Sequence, residues 1–146
     1  EVEAGRVPVY AGAGGSVAHA KRFAKAAKES GADGLLLLPP YLVEVPQAGL
    51  VDYTRAVAGA TDLPVIVYNR NNARFTEASA VAVAEIDNVI GFKDGTGNLD
   101  MVGCIVQAVT DEVAPDFLFF NGLQTSEPTQ LASRSLVFPS SPSSRF

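Results

Sequence analysis

The chain has 146 residues, 47% of them hydrophobic and 18% charged, an ordinary globular composition that supplies one core. A formal net charge of −5 with scattered basic residues argues against a nucleic-acid surface, and no run approaches the roughly 18 apolar residues of a membrane span. The single cysteine, Cys104, excludes an intrachain disulfide and cannot alone supply a metal site; within the apolar stretch Met101 to Val109 it reads as a small buried filler.

The start, Glu1-Val2-Glu3-Ala4-Gly5-Arg6, has neither the basic nor the apolar region of a signal peptide, so a cytoplasmic protein is expected. It also lacks a methionine, and the numbering is expected to begin inside a longer reading frame.

Val7 to Ala11 is a β-branched run predicted to be a strand, ending in Gly12-Ala13-Gly14-Gly15. Ser16 stands as the N-cap of a helix over Val17 to Ser30, with Gly31 as its stop. Lys21, Arg22, Lys25 and Lys28 form its solvated face, and His19 reads as a surface residue. Gly34 to Leu38 is an apolar run bounded by glycine and by Pro39-Pro40, predicted to be a strand buried on both faces. The loop Tyr41 to Pro46 leads to a helix over Gln47 to Gly59, and a strand follows at Leu63 to Tyr68.

Asn69 to Arg74 is a polar loop, with Thr76 capping a helix over Glu77 to Glu85. A strand at Val89 to Lys93, a helix at Leu99 to Val109 and a strand at Phe117 to Phe120 come next. Asn121-Gly122 opens a loop, and Ser126 to Ala132 begins another helical pattern. Strand starts near residues 7, 34, 64, 89 and 117, each followed by one helix, have the period of the β/α unit.

Five such units fit a doubly wound sheet of the flavodoxin type by length, since a closed eight-stranded barrel takes about 250 residues. Loop chemistry favours the barrel. Polar or aromatic residues end several strands, at Gly12 to Gly15, Pro39 to Tyr41, Tyr68 to Arg70, Lys93 to Thr96 and Asn121-Gly122, and a barrel mouth gathers them around one point. From Ser133 to Phe146 the rhythm breaks into a Ser- and Pro-rich tail, either a flexible extension or foreign to the fold.

The stretch Asn88 to Asn98 carries the chemistry. Alternation puts Val89, Gly91 and Lys93 on one face and Ile90 and Phe92 on the other, so the lysine points away from the bulky apolar pair. An inward lysine at a strand's C-terminal end reaches the mouth of a parallel barrel, where desolvation favours the neutral amine that attacks carbonyls. Alone, Lys93-Asp94-Gly95 reads more readily as a solvated turn, and only its context argues for a site. Gly12 to Gly15 lacks the spacing of a phosphate-binding loop, although a flavodoxin-like phosphate-binding domain stays open as an alternative.

Together, Gly12-Ala13-Gly14-Gly15, Leu36-Leu37-Leu38-Pro39-Pro40-Tyr41-Leu42, Val67-Tyr68-Asn69-Arg70 and Gly91-Phe92-Lys93-Asp94-Gly95 resemble the dihydrodipicolinate synthase/N-acetylneuraminate lyase superfamily over roughly residues 5 to 132. The resemblance implies an α/β fold: a partial (β/α)8 TIM barrel comprising about strands 3 to 7, over residues 1–132. Residues 133–146 are then a non-native or disordered tail, and that stretch or a shorter part of it is expected to be a frameshift product.

The Pro39-Pro40-Tyr41, Tyr68-Asn69-Arg70 and Phe92-Lys93-Asp94-Gly95 forms look most like the members that convert 5-dehydro-4-deoxyglucarate to 2,5-dioxopentanoate, carbon dioxide and water. What the resemblance implies is a Schiff base on Lys93 with Tyr68 as proton relay. Asn69, Arg70, Arg74, Gly95 and Thr96 would meet the substrate, with Arg70 or Arg74 on its distal carboxylate. Turn formation by Asn69, Gly95 and Thr96 and a solvated loop position for either arginine are equally open readings. The iminium is the electron sink, so neither metal nor organic cofactor is expected. The expected partners are a small sugar acid and, at full length, further copies of the chain, with no nucleic acid and no membrane. The family's carboxylate-binding loop after the second strand has no counterpart here. A pyruvate or 2-keto-acid aldolase of the same superfamily and an inactive remnant are the rival readings.

Overall fold

The computed structural model describes residues 7–40 and 42–122. Tyr41, the helical pattern at Ser126 to Ala132 and the tail from Ser133 lie outside them. Five strands, β1 (Tyr10–Gly14), β2 (Gly34–Leu38), β3 (Val65–Asn69), β4 (Val89–Asp94) and β5 (Leu118–Asn121), alternate with four helices, α1 (Val17–Glu29), α2 (Gln47–Ala58), α3 (Glu77–Ala84) and α4 (Leu99–Glu112). All neighbouring strands are parallel and the sheet order is β1-β2-β3-β4-β5. Successive right-handed crossovers that always advance in one direction put every helix on one face, and α1 packs on α2, α2 on α3 and α3 on α4. A flavodoxin sheet reverses direction after its second strand, so the strand order excludes that alternative.

Local signals explain most element ends. The Ser16 hydroxyl accepts from His19 N at 3.3 Å to start α1, and Gly31 stops it at φ +77°, a conformation that costs glycine little. Thr76 and Ser79 form a reciprocal capping box at α3, and Asn98 caps α4 by accepting from Met101 N. The buried stripe of α1 is Ala20, Ala24 and Ala27, small side chains that let the helix sit close to the sheet.

The core lies between sheet and helices. Leu35, Leu37, Val65 and Val67 face it with no exposed surface, joined by Phe75, Val83, Phe92, Ile105 and Val109. The other face of the same strands is only partly covered: Leu36, Leu38, Tyr68, Lys93, Leu118 and Phe120 are all half-buried. The expectation that Gly34 to Leu38 is buried on both faces is therefore corrected to one face.

Three further expectations are corrected. The first strand begins at Tyr10 rather than Val7, because pairing runs from Tyr10 opposite Gly34, whose missing side chain admits the Tyr10 ring, while Val7 is exposed and Pro8 has no N–H to donate. Gly12, Ala13 and Gly14 are consequently strand residues, and only Gly15, at φ +86°, makes the turn. Cys104 is exposed, because the buried line of α4 runs through Ile105 and Val109, one residue further round the helix.

The fourth correction bears on the site. Val65 pairs with Val89 but Ile66 pairs with Gly91, so Ile90 is an extra residue in β4. Val89 thereby joins the core, Ile90 is half-buried, and Gly91 and Lys93 keep the open face.

Candidate active site

The residues that the sequence singles out lie at the C-terminal strand ends, the end at which β/α barrels place their sites. Tyr68 of β3, Lys93 of β4 and Phe120 of β5 lie in one register row across three strands, so their side chains emerge side by side on the open face. The Lys93 ammonium stands over the Tyr68 ring, 4.6 Å from its centroid, where the negative face of the ring attracts it. Among the described residues no carboxylate forms an ion pair with it. Arg70 approaches the same ring at 5.2 Å, which makes Tyr68 the hub of two cationic side chains.

Arg70 is held there by a tight turn. Its backbone exchanges hydrogen bonds of 3.2 and 3.0 Å with Ala73, and Asn71 between them takes the left-handed φ of 49° that asparagine tolerates. Arg74 is instead exposed and tied into the loop, its Nε donating to Asn71 O at 2.7 Å and its carbonyl accepting from Gln47.

Gly95 fits the row from below. A Cβ there would lie 2.7 Å from Tyr68 Cε2 and 2.8 Å from its hydroxyl, so a side chain at 95 collides with the phenol. Gly91 is equally restricted, with Leu118 O at 3.0 Å and the Phe120 ring at 3.3 Å from where its Cβ would stand. Glycine at both positions keeps space beside the lysine.

Asn69 and Thr96 are placed differently from the pocket lining that the sequence suggests. Asn69 is 1% exposed and points to the helix side, its Oδ1 accepting from Phe75 N at 3.0 Å and its Nδ2 donating to Asp94 Oδ1 at 2.9 Å. The Thr96 hydroxyl donates to Asp94 Oδ1 at 2.8 Å and accepts from Asn98 N. The structure thus brings together Lys93, Tyr68, Arg70 and Gly95, and it separates Asn69, Thr96 and Arg74 from them.

Two residues went unassigned in the sequence reading. Asp94, 6% exposed, receives four donors and organises the turn into α4. The spacing Asp94-x-Thr96-Gly97 is the signal for such a turn. Phe120 had no local signal, because its neighbour across β4 is set by register. Among the described residues no group of three or more His, Cys, Asp or Glu side chains is placed to hold a metal ion, and no helix is long and apolar enough to cross a membrane.

A singly wound run of parallel β/α units, with a lysine and a tyrosine at adjacent strand ends, defines a partial (β/α)8 barrel. The profile of the dihydrodipicolinate synthetase family matches residues 1–135, and the chain belongs to that family. A Streptomyces coelicolor relative named "Probable 5-dehydro-4-deoxyglucarate dehydratase 1" is 56% identical over 95% of this chain and 44% of its own length. A Paracidovorax citrulli relative named "Probable 5-dehydro-4-deoxyglucarate dehydratase" is 40% identical over 92% of this chain.

Among solved structures, dihydrodipicolinate synthase of Thermotoga maritima superposes with a TM-score of 0.75 at 28% identity, over 81% of this chain and 41% of that one. The Acinetobacter baumannii enzyme, solved with pyruvate, superposes at 0.70 with 36% identity, over 80% of this chain and 40% of that one. The chain spans less than half the length of these relatives.

Proposed function

We propose that this chain carries the imine-forming half of a decarboxylating dehydratase acting on 5-dehydro-4-deoxy-D-glucarate in the cytoplasm. The observation that carries the reading is the amine of Lys93 over the ring of Tyr68 on the open face of the sheet. The Lys93 amine adds to the C5 ketone and water leaves, giving an iminium that acidifies the C4 protons. The Tyr68 hydroxyl, able to donate and accept, relays a C4 proton to the departing C3 hydroxyl. Carbon dioxide then leaves from the distal end, its electron pair running through the conjugated chain to the iminium nitrogen. Reprotonation and hydrolysis free 2,5-dioxopentanoate and the amine.

Arg70 is better placed than Arg74 to orient the distal carboxylate, since it shares the Tyr68 ring with Lys93. Residues 1–132 are assigned to the barrel part and 133–146, or a shorter part of them, to a frameshift product. The family match reaches 135 and the Streptomyces coelicolor relative aligns over 95% of the chain, which points to the shorter stretch. Gene sequencing that finds no homologous continuation in either shifted frame refutes that part.

The test is intact-mass spectrometry after sodium borohydride reduction with 5-dehydro-4-deoxyglucarate. A covalent increment that vanishes in Lys93→Ala is expected. Its absence on a folded chain, or its survival in the variant, overturns the reading. The solved relative bound to pyruvate favours a second reading, an aldolase or synthase working on pyruvate. Both keto acids offered together decide between them, because the two adducts differ in mass.

A further inference from the structure

We propose that the buried pair Asn69 and Asp94 is a positioning unit: one amide and one carboxylate on the helix side of the sheet fix the spacing of Tyr68 and Lys93 on the open side. It rests on the reading of Lys93 and Tyr68 as the reacting pair. Each member of the unit directly follows one of them in sequence, and Asn69 is in register with Asp94 as Tyr68 is with Lys93.

The pair lies where register needs fixing. The extra residue Ile90 breaks the regular pairing of β3 with β4, and a strand containing a bulge has no intrinsic reason to re-engage at one register rather than another. Beyond the bulge, directional bonds specify it. Asn69 Nδ2 donates to Asp94 Oδ1 at 2.9 Å, Gly95 N donates to Asn69 O at 2.8 Å, and Gly122 N donates to Asp94 O at 2.5 Å, joining β3, β4 and β5 at one level. A slip of β3 against β4 by one residue breaks the first two at once, while the third ties β4 to β5 at the same level.

The chemistry of the pair argues the same way. Asp94 is nine-tenths buried, yet among the described residues no salt bridge neutralises it. Its charge is met by neutral donors alone: Asn69 Nδ2 and Thr96 Oγ1 on Oδ1, and Thr96 N and Gly97 N at 3.2 and 3.1 Å on Oδ2. Burying a carboxylate this way is an expensive means of filling space, where two apolar side chains would suffice. Its return is geometric, since every donor has a direction and the network is fully satisfied.

The donor pattern supplies a sharp test. In Asp94→Asn the new NH2 must face either Asn69 Nδ2 and Thr96 Oγ1 or the two backbone N–H groups, so Asn69 is left without its acceptor or two main-chain donors are. Adding Asn69→Asp repairs this. The carboxylate at 69 still accepts from Phe75 N and now also accepts from the amide at 94, whose oxygen keeps Thr96 N and Gly97 N. The Thr96 hydroxyl turns from donor to acceptor. The swap preserves net charge and shape.

The readout is independent of catalysis. The Lys93 side chain lies over the Tyr68 ring, so ring current moves its ε-methylene protons upfield; the signal is assigned by its loss in Lys93→Ala and its return to an ordinary shift in Tyr68→Leu. Asp94→Asn and Asn69→Asp are each expected to lose most of the upfield displacement, and the double swap to regain it. Imine trapping should follow the same pattern, falling on the order of 100-fold in the single variants for a displacement near 1 Å. Single variants that fold and keep the displacement overturn the proposal, as does a double swap that regains thermal stability without it. Should both single variants unfold, Thr96→Val, which removes one donor from Asp94, decides: a reduced displacement supports the unit and an unchanged one overturns it. If the unaltered chain traps no keto acid while the displacement obeys the swap, the proposed reaction fails and the positioning unit stands.

Discussion

Phe92 and Lys93 are neighbours in one strand, yet Phe92 is 3% exposed and packed edge-on against Phe75 at 5.3 Å, while Lys93 is half-buried with its ammonium over Tyr68. The whole sheet repeats that contrast. On the helix side, Leu35, Leu37, Val65 and Val67 have no exposed surface and the polar members Asn69 and Asp94 are fully bonded. On the open side, most side chains, apolar and polar alike, keep partial access to solvent, the buried Ile66 excepted. Alternation along a strand separates the residues that hold the fold from those free to do chemistry, so substitutions one position apart should have opposite consequences.

The largest effect should come from Lys93→Ala, which is expected to abolish borohydride-trapped adduct entirely while shifting stability by no more than about 1 kcal/mol, as for other incompletely buried sites. Thermal melting beside the mass measurement checks both halves. Phe92→Ala should do the reverse. Removing a buried ring costs about 3–5 kcal/mol, enough to leave much of the chain unfolded, and denaturant titration reads it directly. If the two variants lost stability equally, the division of labour between the faces would be wrong.

Gly95→Ala sharpens the contrast within the open face. The added methyl meets the Tyr68 ring at 2.7 Å, and that ring, bordered by solvent, can swing aside. Stability should change by about 1 kcal/mol or less, whereas imine trapping should fall on the order of 100-fold because the ring leaves its place beside the amine. A rate close to that of the unaltered chain would remove Tyr68 from the proposed reaction.

The parts of the fold readable in the sequence are those set by short-range chemistry. The bounds of β2, the Ser16 and Thr76 caps and the Gly31 stop follow from residues within one turn of each other, and the structure places them as expected. The parts that were not readable depend on pairing between strands. Nothing local to Val89-Ile90-Gly91 announces that Ile90 is an extra residue, because a bulge is defined only against the partner strand. Asn69 looks like a loop residue beside Tyr68, and only the pleat reveals that its amide turns into the core. The proximity of Lys93 to Tyr68 was expected from the family resemblance and the strand ends, while Phe120 completes the row through register alone.

The smallest effect concerns a tyrosine that ties the helix layer to the rim. Tyr53 of α2 is 5% exposed, and its hydroxyl donates to Gly15 O at 2.9 Å, where β1 turns into α1. Burial pushes its pKa up from the ordinary 10.0 to about 12, because the folded chain disfavours a phenolate there. In the unfolded chain the phenol ionises first, so its contribution to stability is complete below pH 10 and is lost as pH rises through about 12. Tyr53→Phe removes the hydrogen bond and should cost about 1 kcal/mol at neutral pH. It also removes this proton linkage, so the deficit relative to the unaltered chain should shrink across that alkaline window. Tyr10, on the other face, is raised by burial and then by the nearby Asp33 charge, and it supplies an alkaline loss that Tyr53→Phe leaves in place. Urea titrations of both chains from pH 8 upward would show the difference closing; a constant gap would mean that the Tyr53 hydroxyl is not held out of water in the fold.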